Sequence, residues 1–167
     1  TRALLLKQKG NRKELIEKQL FLQKDLNEKH ETLRELLISS RKSSGSSNSS
    51  TQKLYVFIEL MDILELAMAN PVDYGKMDSI FKNEKELSDA FEFQVLSMAN
   101  HLKTLSEYYL NRKSSKVEQP SNTGLEKIER SIQTFKNENF EDQENEILLI
   151  LYNMYDYQEK QYEKITF

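Results

Sequence analysis

Three carboxylates at intervals of three residues are the feature of this chain closest to a chemical site. Glu59, Asp62 and Glu65 recur within residues 54–69, a stretch that is otherwise almost entirely apolar. Carboxylates that project into a helical bundle hold paired metals in ferritin-like proteins. In those proteins, Glu-x-x-His pairs from two helices complete the site, so the histidines decide whether the same chemistry is available here.

Neither histidine brings the carboxylate that a dimetal site needs. The residue three before His30 is Asn27, and the residue three before His101 is Met98. We therefore expect no metal site, and acids that pair with Arg or Lys of neighbouring helices or reach solvent, because unpaired charge is costly to bury. Both histidines are expected to be half-buried and hydrogen-bonded. A carboxylate-bridged metal protein is the least favoured functional hypothesis.

The sequence also argues against other reaction classes. It has no cysteine, no Gly-x-Ser-x-Gly turn, and only 4 glycines, which are too scattered for a phosphate-binding loop. Its 24 basic and 27 acidic residues give a net charge of −3, without the basic excess expected of a nucleic-acid binder. We expect no enzyme, no catalytic residues, no cofactor and no nucleic-acid partner.

The elements that position these residues are helices. The 167 residues include only 4 Gly and 2 Pro, while helix formers such as Leu, Glu, Lys and Gln are abundant. We predict an all-α fold, an antiparallel bundle of five to six helices, several of them long, in a single domain over residues 1–167. The chain starts within a helix-like stretch, which suggests a domain cut from something longer.

The first half of the chain predicts a long helix over residues 12–41, opened by a capping box of Asn11 and Glu14, after a short helical tail over residues 1–9. Its buried seam is a heptad row made by Leu15, Leu22, Leu26, Leu33 and Leu37. Residues 42–50, KSSGSSNSS, are predicted to be a flexible loop. A helix over 52–69, apolar on almost every side, is then expected to be the buried central rod of the bundle.

The second half predicts three further helical segments. After a corner at residues 70–75, a helical pattern runs over 76–111 with a break near Asn83. Its inward stripe is Phe91, Val95, Met98, Leu102, Leu105 and Tyr109.

Residues 112–122 are then predicted to be a loop. Thr123 and Glu126 cap a short helix whose inward residues are Leu125, Ile128, Ile132 and Phe135. The last helix spans 142–165, with Ile147, Leu151, Met154 or Tyr155, Tyr162 and Ile165 facing inward.

Two clusters have a structural and a functional interpretation. The basic residues Arg2, Lys7, Lys9, Arg12 and Lys13 are either solvated or mark the cytoplasmic side of a preceding membrane span. The tyrosines are either amphipathic residues with solvated hydroxyls or a docking face for another subunit or domain; they are Tyr152, Tyr155, Tyr157 and Tyr162.

A family resemblance extends this interpretation. Residues 26–37 (LNEKHETLRELL), the serine-rich break, residues 62–67 (DILELA), Asp73-Tyr74 and, near the end, residues 157–161 (YQEKQ) resemble FUSC-like inner-membrane proteins of the YccS/YhfK type. Such proteins are grouped with fusaric-acid-resistance and aromatic-acid exporters and have two blocks of membrane helices. The resemblance implies that this chain is the cytoplasmic segment between those blocks, and it transfers no catalytic residue.

The function expected on this basis is a non-enzymatic cytoplasmic helical domain of a bacterial inner-membrane FUSC-type efflux transporter, with a role in assembly or regulation. Asp62 and Glu65 are expected to organise the bundle through salt bridges, and Asp73 and Tyr74 through the corner after Pro71. The expected partners are the membrane domain of the same polypeptide and a possible second copy, with the transported molecule unassigned. The alternative is a free-standing helical scaffold that binds a partner protein.

Overall fold

The computed structural model describes residues 11–44, 48–69, 72–111, 119–138 and 144–166. Within these ranges all regular structure is helical, which confirms the all-α prediction. The six helices are α1 (Arg12–Ser44), α2 (Asn48–Met68), α3 (Tyr74–Asn83), α4 (Lys85–Asn111), α5 (Thr123–Glu138) and α6 (Glu144–Thr166). The helical tail expected over residues 1–9 lies outside the described residues.

The chain forms two compact units where the sequence suggested one domain. Residues 13–70, which contain nearly all of α1 and the whole of α2, make one unit, called the hairpin unit below. Residues 71–167 with the chain's first twelve residues make the other, called the bundle unit, which contains α3 to α6. Each unit has its own pattern of burial.

The bundle unit holds the main hydrophobic core. The predicted inward face of α5 is confirmed, since Leu125, Ile128, Ile132 and Phe135 are all buried. These side chains share one stripe because residues three and four apart lie on the same side of a helix. Ile128, Ile132 and Phe135 belong to one cluster with apolar side chains of the other three helices, which are Met77, Ile80, Phe81, Leu87, Ala90, Phe91, Leu151 and Met154.

The long pattern over 76–111 is two helices, as the predicted break near Asn83 implies. Glu84 separates them: its backbone N–H donates to Ile80 O at 3.2 Å, and its carbonyl accepts from Ser88 N at 3.1 Å. Glu84 thus ends α3, and its carbonyl accepts one of the first backbone hydrogen bonds of α4. Along α4 the predicted stripe holds from Phe91 to Leu105, but Tyr109 is exposed, so the stripe ends before the helix does.

The helix starts differ in detail from the predicted caps. α5 begins at Thr123, one residue earlier than a Thr123 cap requires, and the hydroxyl that accepts from Thr123 N is Ser121 Oγ, at 3.1 Å. The carbonyl of Asn122 accepts from Glu126 N at 3.1 Å, so the predicted capping box is not formed. Of the predicted loop over 112–122, residues 119–122 lie outside helices, and 112–118 are not among the described residues.

In the hairpin unit, the predicted flexible loop over 42–50 is wrong for most of its length. α1 continues to Ser44 and α2 begins at Asn48, which leaves only residues 45–47 outside the description. Serine in a helix costs only about half a kcal/mol relative to alanine, and extending an existing helix is far easier than nucleating one. The described serines of this run, Ser43, Ser44, Ser49 and Ser50, therefore belong to the ends of the two helices.

α1 and α2 run antiparallel. The ring of His30 meets that of Phe57 with centroids 6.1 Å apart, and residues 34–40 of α1 line one cavity together with residues 50–58 of α2. Residues later in α1 therefore lie opposite residues earlier in α2, which is the geometry of a helical hairpin. In the described parts of the chain, no helix is long and apolar enough to cross a membrane.

Candidate functional site

The acidic row lies on α2 but does not converge with the histidines into a metal site. Glu59 and Glu65 are exposed and Asp62 is half-buried. The described residues contain no group of three His, Asp or Glu side chains placed to hold a metal ion. Glu59 and Glu65 therefore reach solvent, which is one of the two arrangements predicted for these acids; the other was pairing with Arg or Lys of a neighbouring helix.

The other two candidate residues lie in the bundle unit, at the start of α3. Asp73 is the N-cap of α3: its Oδ1 accepts from Gly75 N at 2.9 Å and from Lys76 N at 3.2 Å. These bonds satisfy two backbone donors that a helix N-terminus leaves without intrahelical partners. Tyr74 is half-buried and packs against the bundle core. An organising role for Asp62, Glu65, Asp73 and Tyr74 in assembly stays a prediction.

The histidines occupy separate environments. His30 lies half-buried beside Phe57, and its Nδ1 is buried with no hydrogen-bond partner among the described residues, so the expected hydrogen bond at that atom is absent. His101 on α4 is also half-buried, and burial lowers its pKa because the charged imidazolium is poorly solvated there. Neither histidine shows a hydrogen bond to a serine, threonine or tyrosine hydroxyl in the part of the chain that the structure describes.

The C-terminal tyrosines are anchored by hydrogen bonds within the bundle unit. All four are half-buried. Gln133 Nε2 donates to Tyr152 Oη at 3.1 Å, and Tyr162 Oη donates to the carbonyl of Pro120 at 2.8 Å. Tyr155 donates to Glu159 at 3.1 Å, and Gln161 donates to Tyr157 at 3.3 Å. These contacts favour the amphipathic interpretation over an open docking face.

The hairpin unit carries most of the exposed large apolar side chains among the described residues. The prediction that α2 is a buried central rod is wrong, because Tyr55, Val56, Ile58 and Leu60 are exposed. Among the described residues of this unit, Leu64 is the one buried side chain, at 4% exposure. Two helices can cover only one face of each other, so a helix that is apolar all round is left partly uncovered.

The predicted buried seam of α1 is wrong for three of its leucines, which are exposed. Together with Leu36 they form a line along the helix, called the leucine row below. Its members are Leu22, Leu26, Leu33 and Leu36, which are 47%, 41%, 36% and 61% exposed. Their spacing of 4, 7 and 3 residues is that of coiled-coil core positions, and Lys29 fills the gap between Leu26 and Leu33. Lys29 Nζ lies 2.8 Å from Asp25 Oδ2, so the cation in the row is held by its own helix.

A cavity of about 210 Å³ lies between the last third of α1 and the first half of α2. Its wall is mainly apolar, and the apolar side chains are Leu37, Ile38, Leu54, Phe57 and Ile58. Arg34 and Lys53 line it as well, together with the hydroxyl residues Ser40 and Ser50. Both ionisable residues of the cavity are therefore cations.

Sequence reasoning missed this cavity and two buried glutamines. Arg34 and Lys53 are unremarkable in sequence, because only the antiparallel pairing of α1 with α2 brings them together. Gln94 and Gln158 are buried in the bundle unit, and no partner reaches either amide atom of Gln94 among the described residues. The sequence does contain a pattern that predicts the burial of both glutamines. Gln94 lies three residues after Phe91, and Gln158 lies four residues after Met154, so each is on the inward stripe of its helix.

Comparison with known proteins adds the family. No curated protein and no solved structure matches the chain. The family model described as FUSC-like inner membrane protein yccS matches residues 3–160, which is nearly the whole chain. The match includes both the hairpin unit and most of the bundle unit. The chain belongs to the FUSC-like family of inner-membrane proteins.

Proposed function

We propose that this chain is the cytoplasmic helical domain of a FUSC-type efflux transporter of the bacterial inner membrane, and that it acts in assembly and carries out no reaction. The family supports an inner-membrane, transport-related protein. The transported molecule then passes through membrane helices of the same polypeptide, which is the first partner of this domain. The observation that carries the assembly role is the exposed leucine row on a hairpin whose described residues include one buried side chain.

The leucine row suits a second copy of the same helix. Heptad-spaced leucines pack knobs-into-holes against a helix of the same periodicity, and an isologous pair supplies that periodicity from both sides. Burying a whole leucine side chain is worth about 1.5–3 kcal/mol, so half-exposed leucines contribute roughly 1 kcal/mol each. Eight of them in a pair yield roughly 8 kcal/mol.

That yield is of the same order as the cost of association in solution, about 4–15 kcal/mol. The row alone therefore gives weak pairing between free chains. Two copies anchored in one membrane meet at a much higher effective concentration, which lowers the cost of bringing them together. The proposed assembly thus fits a domain whose parent protein is held in a bilayer.

Cysteine cross-linking tests this proposal, and the chain is suited to it because it contains no cysteine. Lys29→Cys places a thiol in the leucine row. Glu28→Cys is the matched control, since the next residue along a helix points about 100° away. In the membrane-embedded full-length protein, we expect oxidation to give a covalent dimer with Lys29→Cys and little with Glu28→Cys.

A second variant tests whether the leucines drive the pairing. Leu26→Gln with Leu33→Gln in the Lys29→Cys background should abolish the cross-link and reduce the native mass of the detergent-solubilised protein. Equal cross-linking at positions 28 and 29, or a native mass that the glutamine variant leaves unchanged, would contradict assembly through this row.

A further inference from the structure

The cavity of the hairpin unit combines an apolar wall with positive charge. Its wall contains five apolar side chains, and its two ionisable residues are Arg34 and Lys53. An apolar cavity with a few convergent polar groups is the usual form of a small-molecule site. Since both charged groups are cations, the complementary ligand carries a negative charge next to an apolar body.

The two cations retain the capacity to bind an anion. Arg34 forms an ion pair with Glu31 of its own helix, in which Nη1 lies 3.2 Å from Oε1 and 3.5 Å from Oε2. This pair involves one of the three guanidinium nitrogens, which together carry five N–H donors. The ammonium of Lys53 offers three donors of its own. Both side chains extend from the cavity wall toward solvent, where a ligand carboxylate stays hydrated on one side and so avoids the full cost of burying a charge.

The volume limits the ligand to a small molecule. A cavity of about 150 Å³ admits benzene, whereas drug-sized ligands occupy about 300–1,000 Å³. At about 210 Å³, this cavity accepts an apolar body a little larger than benzene. An alkyl chain of about seven or eight carbons is of that size.

The shape of the wall favours an alkyl chain. Four of the five apolar side chains are branched and aliphatic, and the one aromatic, Phe57, already meets His30 edge to face at an interplanar angle of 65°. No second ring lines the cavity to form a flat slot. A flexible chain can follow this irregular wall.

We propose that the hairpin cavity binds a medium-chain alkyl carboxylate, with its chain against Leu54, Phe57 and Ile38 and its carboxylate toward Arg34 and Lys53. This goes beyond the assembly role and does not depend on it. On α1 the cavity is lined by Arg34 and Ile38, and also by Leu37 and Ser40, which follow Leu33 by four and seven residues. The cavity therefore borders the end of the leucine row. The domain then has a means of responding to a small amphipathic anion.

Calorimetric titration of the 167-residue chain with octanoate, and separately with its neutral analogue octanamide, tests the charge requirement. We expect saturable binding of one octanoate per chain, and binding of octanamide at least about tenfold weaker, since a charge-assisted hydrogen bond is worth a factor of this order. Equal binding of the two compounds, or no saturation by octanoate, would overturn the proposal. This comparison needs no variant, so it stands even if a substitution disturbs folding.

Two double variants locate the site. Arg34→Gln with Lys53→Gln should weaken octanoate binding about tenfold. The matched control is Lys13→Gln with Lys24→Gln, which removes two cations that are 84% and 78% exposed and do not line the cavity, and binding should be unchanged. Equal losses in both double variants would show a general charge effect and no site.

A filled cavity gives an independent check. Ile38→Trp adds volume at a residue that is already 46% exposed, so octanoate binding should be lost while the circular dichroism stays helical. Retained binding would contradict the location. Light scattering on the same samples reports the number of copies, so a failure of this site is distinguishable from a failure of the assembly role.

Discussion

Gly124 on α5 lies directly against the amide of Gln94 on α4: a Cβ at position 124 would stand 2.1 Å from Gln94 Oε1 and 3.1 Å from its Cβ and Cδ. Gln94 is fully buried, and neither its Oε1 nor its Nε2 has a hydrogen-bond partner in the described part of the chain. The glycine therefore lets α5 approach a buried polar side chain more closely than a residue with a Cβ could. This contact sets how closely the two helices pack.

Gly124→Ala should destabilise the bundle unit. Alanine is favoured over glycine in a helix by about 0.5–1 kcal/mol, but overpacking a buried contact costs about 1–3 kcal/mol. The clash is with the end of a flexible side chain, yet that side chain is fully buried and its movement disturbs the core. We expect a net loss of about 1–2 kcal/mol in the free energy of unfolding, measured by urea denaturation.

A double-mutant cycle assigns this loss to Gln94. Gln94→Ala removes the atoms that the new methyl group meets, so Gly124→Ala should cost much less in that background than in the wild type. If Gly124→Ala costs the same in both backgrounds, the contact is not the cause. If it stabilises the native chain, helix propensity outweighs the clash.

Gln94→Leu should stabilise the bundle unit by about 1 kcal/mol. A buried amide without partners loses its hydrogen bonds to water and gains none in return, which costs about 1–3 kcal/mol. Leucine removes both polar atoms and is shorter than glutamine, so it does not press further on Gly124. Thermal or urea unfolding of the variant measures the gain.

Gln158→Leu is the comparison for this prediction. Gln158 is also buried, but only its Oε1, and not its Nε2, is buried without a partner. The gain from Gln158→Leu should therefore be smaller than that from Gln94→Leu. An equal or reversed order would mean that the unpaired amide of Gln94 is not what limits stability.

These two glutamines show where sequence reasoning stops. The inward stripe of α5 was predictable in full, because Leu125, Ile128, Ile132 and Phe135 have both the spacing and the apolar character of a core. Gln94 has the sequence spacing of a core residue but a polar side chain, and only the packing of α5 against α4 shows that it is buried. Periodicity identifies a face of a helix but not the partner that covers it.

The same limit explains the errors in the hairpin unit. The sequence predicts an apolar helix over 52–69, and the structure has a helix there. The prediction that this helix is buried rests on its composition alone. Burial also depends on how many other helices pack against it. Phe57 contacts His30, while Tyr55 and Val56, two residues and one residue before it, are exposed. Likewise Arg34 and Lys53 are 19 residues apart in sequence, and the antiparallel pairing of α1 with α2 brings both to one cavity.

The cap of α3 makes a prediction that tests a residue chosen from sequence. Asp73→Ala removes the acceptor of two backbone N–H groups at the start of α3 and should lower the free energy of unfolding by about 1 kcal/mol. Asp73→Asn keeps an acceptor oxygen at the same position and should retain most of the stability. Urea denaturation of the three proteins measures both effects, and an alanine variant as stable as the wild type would exclude a capping role.

The alkaline stability of the bundle unit should depend on Tyr155. Burial, and then the hydrogen bond donated to Glu159 at 3.1 Å, raise the pKa of this hydroxyl to about 12. In the unfolded chain the ordinary value is about 10, so the folded state holds the proton more tightly. The resulting stabilisation is complete below pH 10 and is lost as the pH rises from about 10 to 12.

Tyr155→Phe removes the titrating group, so the free energy of unfolding of the variant should fall less steeply over that interval than that of the wild type. The quantity to compare is the slope with pH, since the lost hydrogen bond to Glu159 also lowers the stability of the variant at neutral pH. Urea midpoints between pH 8 and 12 give both slopes. Parallel slopes would mean that Tyr155 ionises as readily in the folded chain as in the unfolded one, and that its burial does not hold the proton.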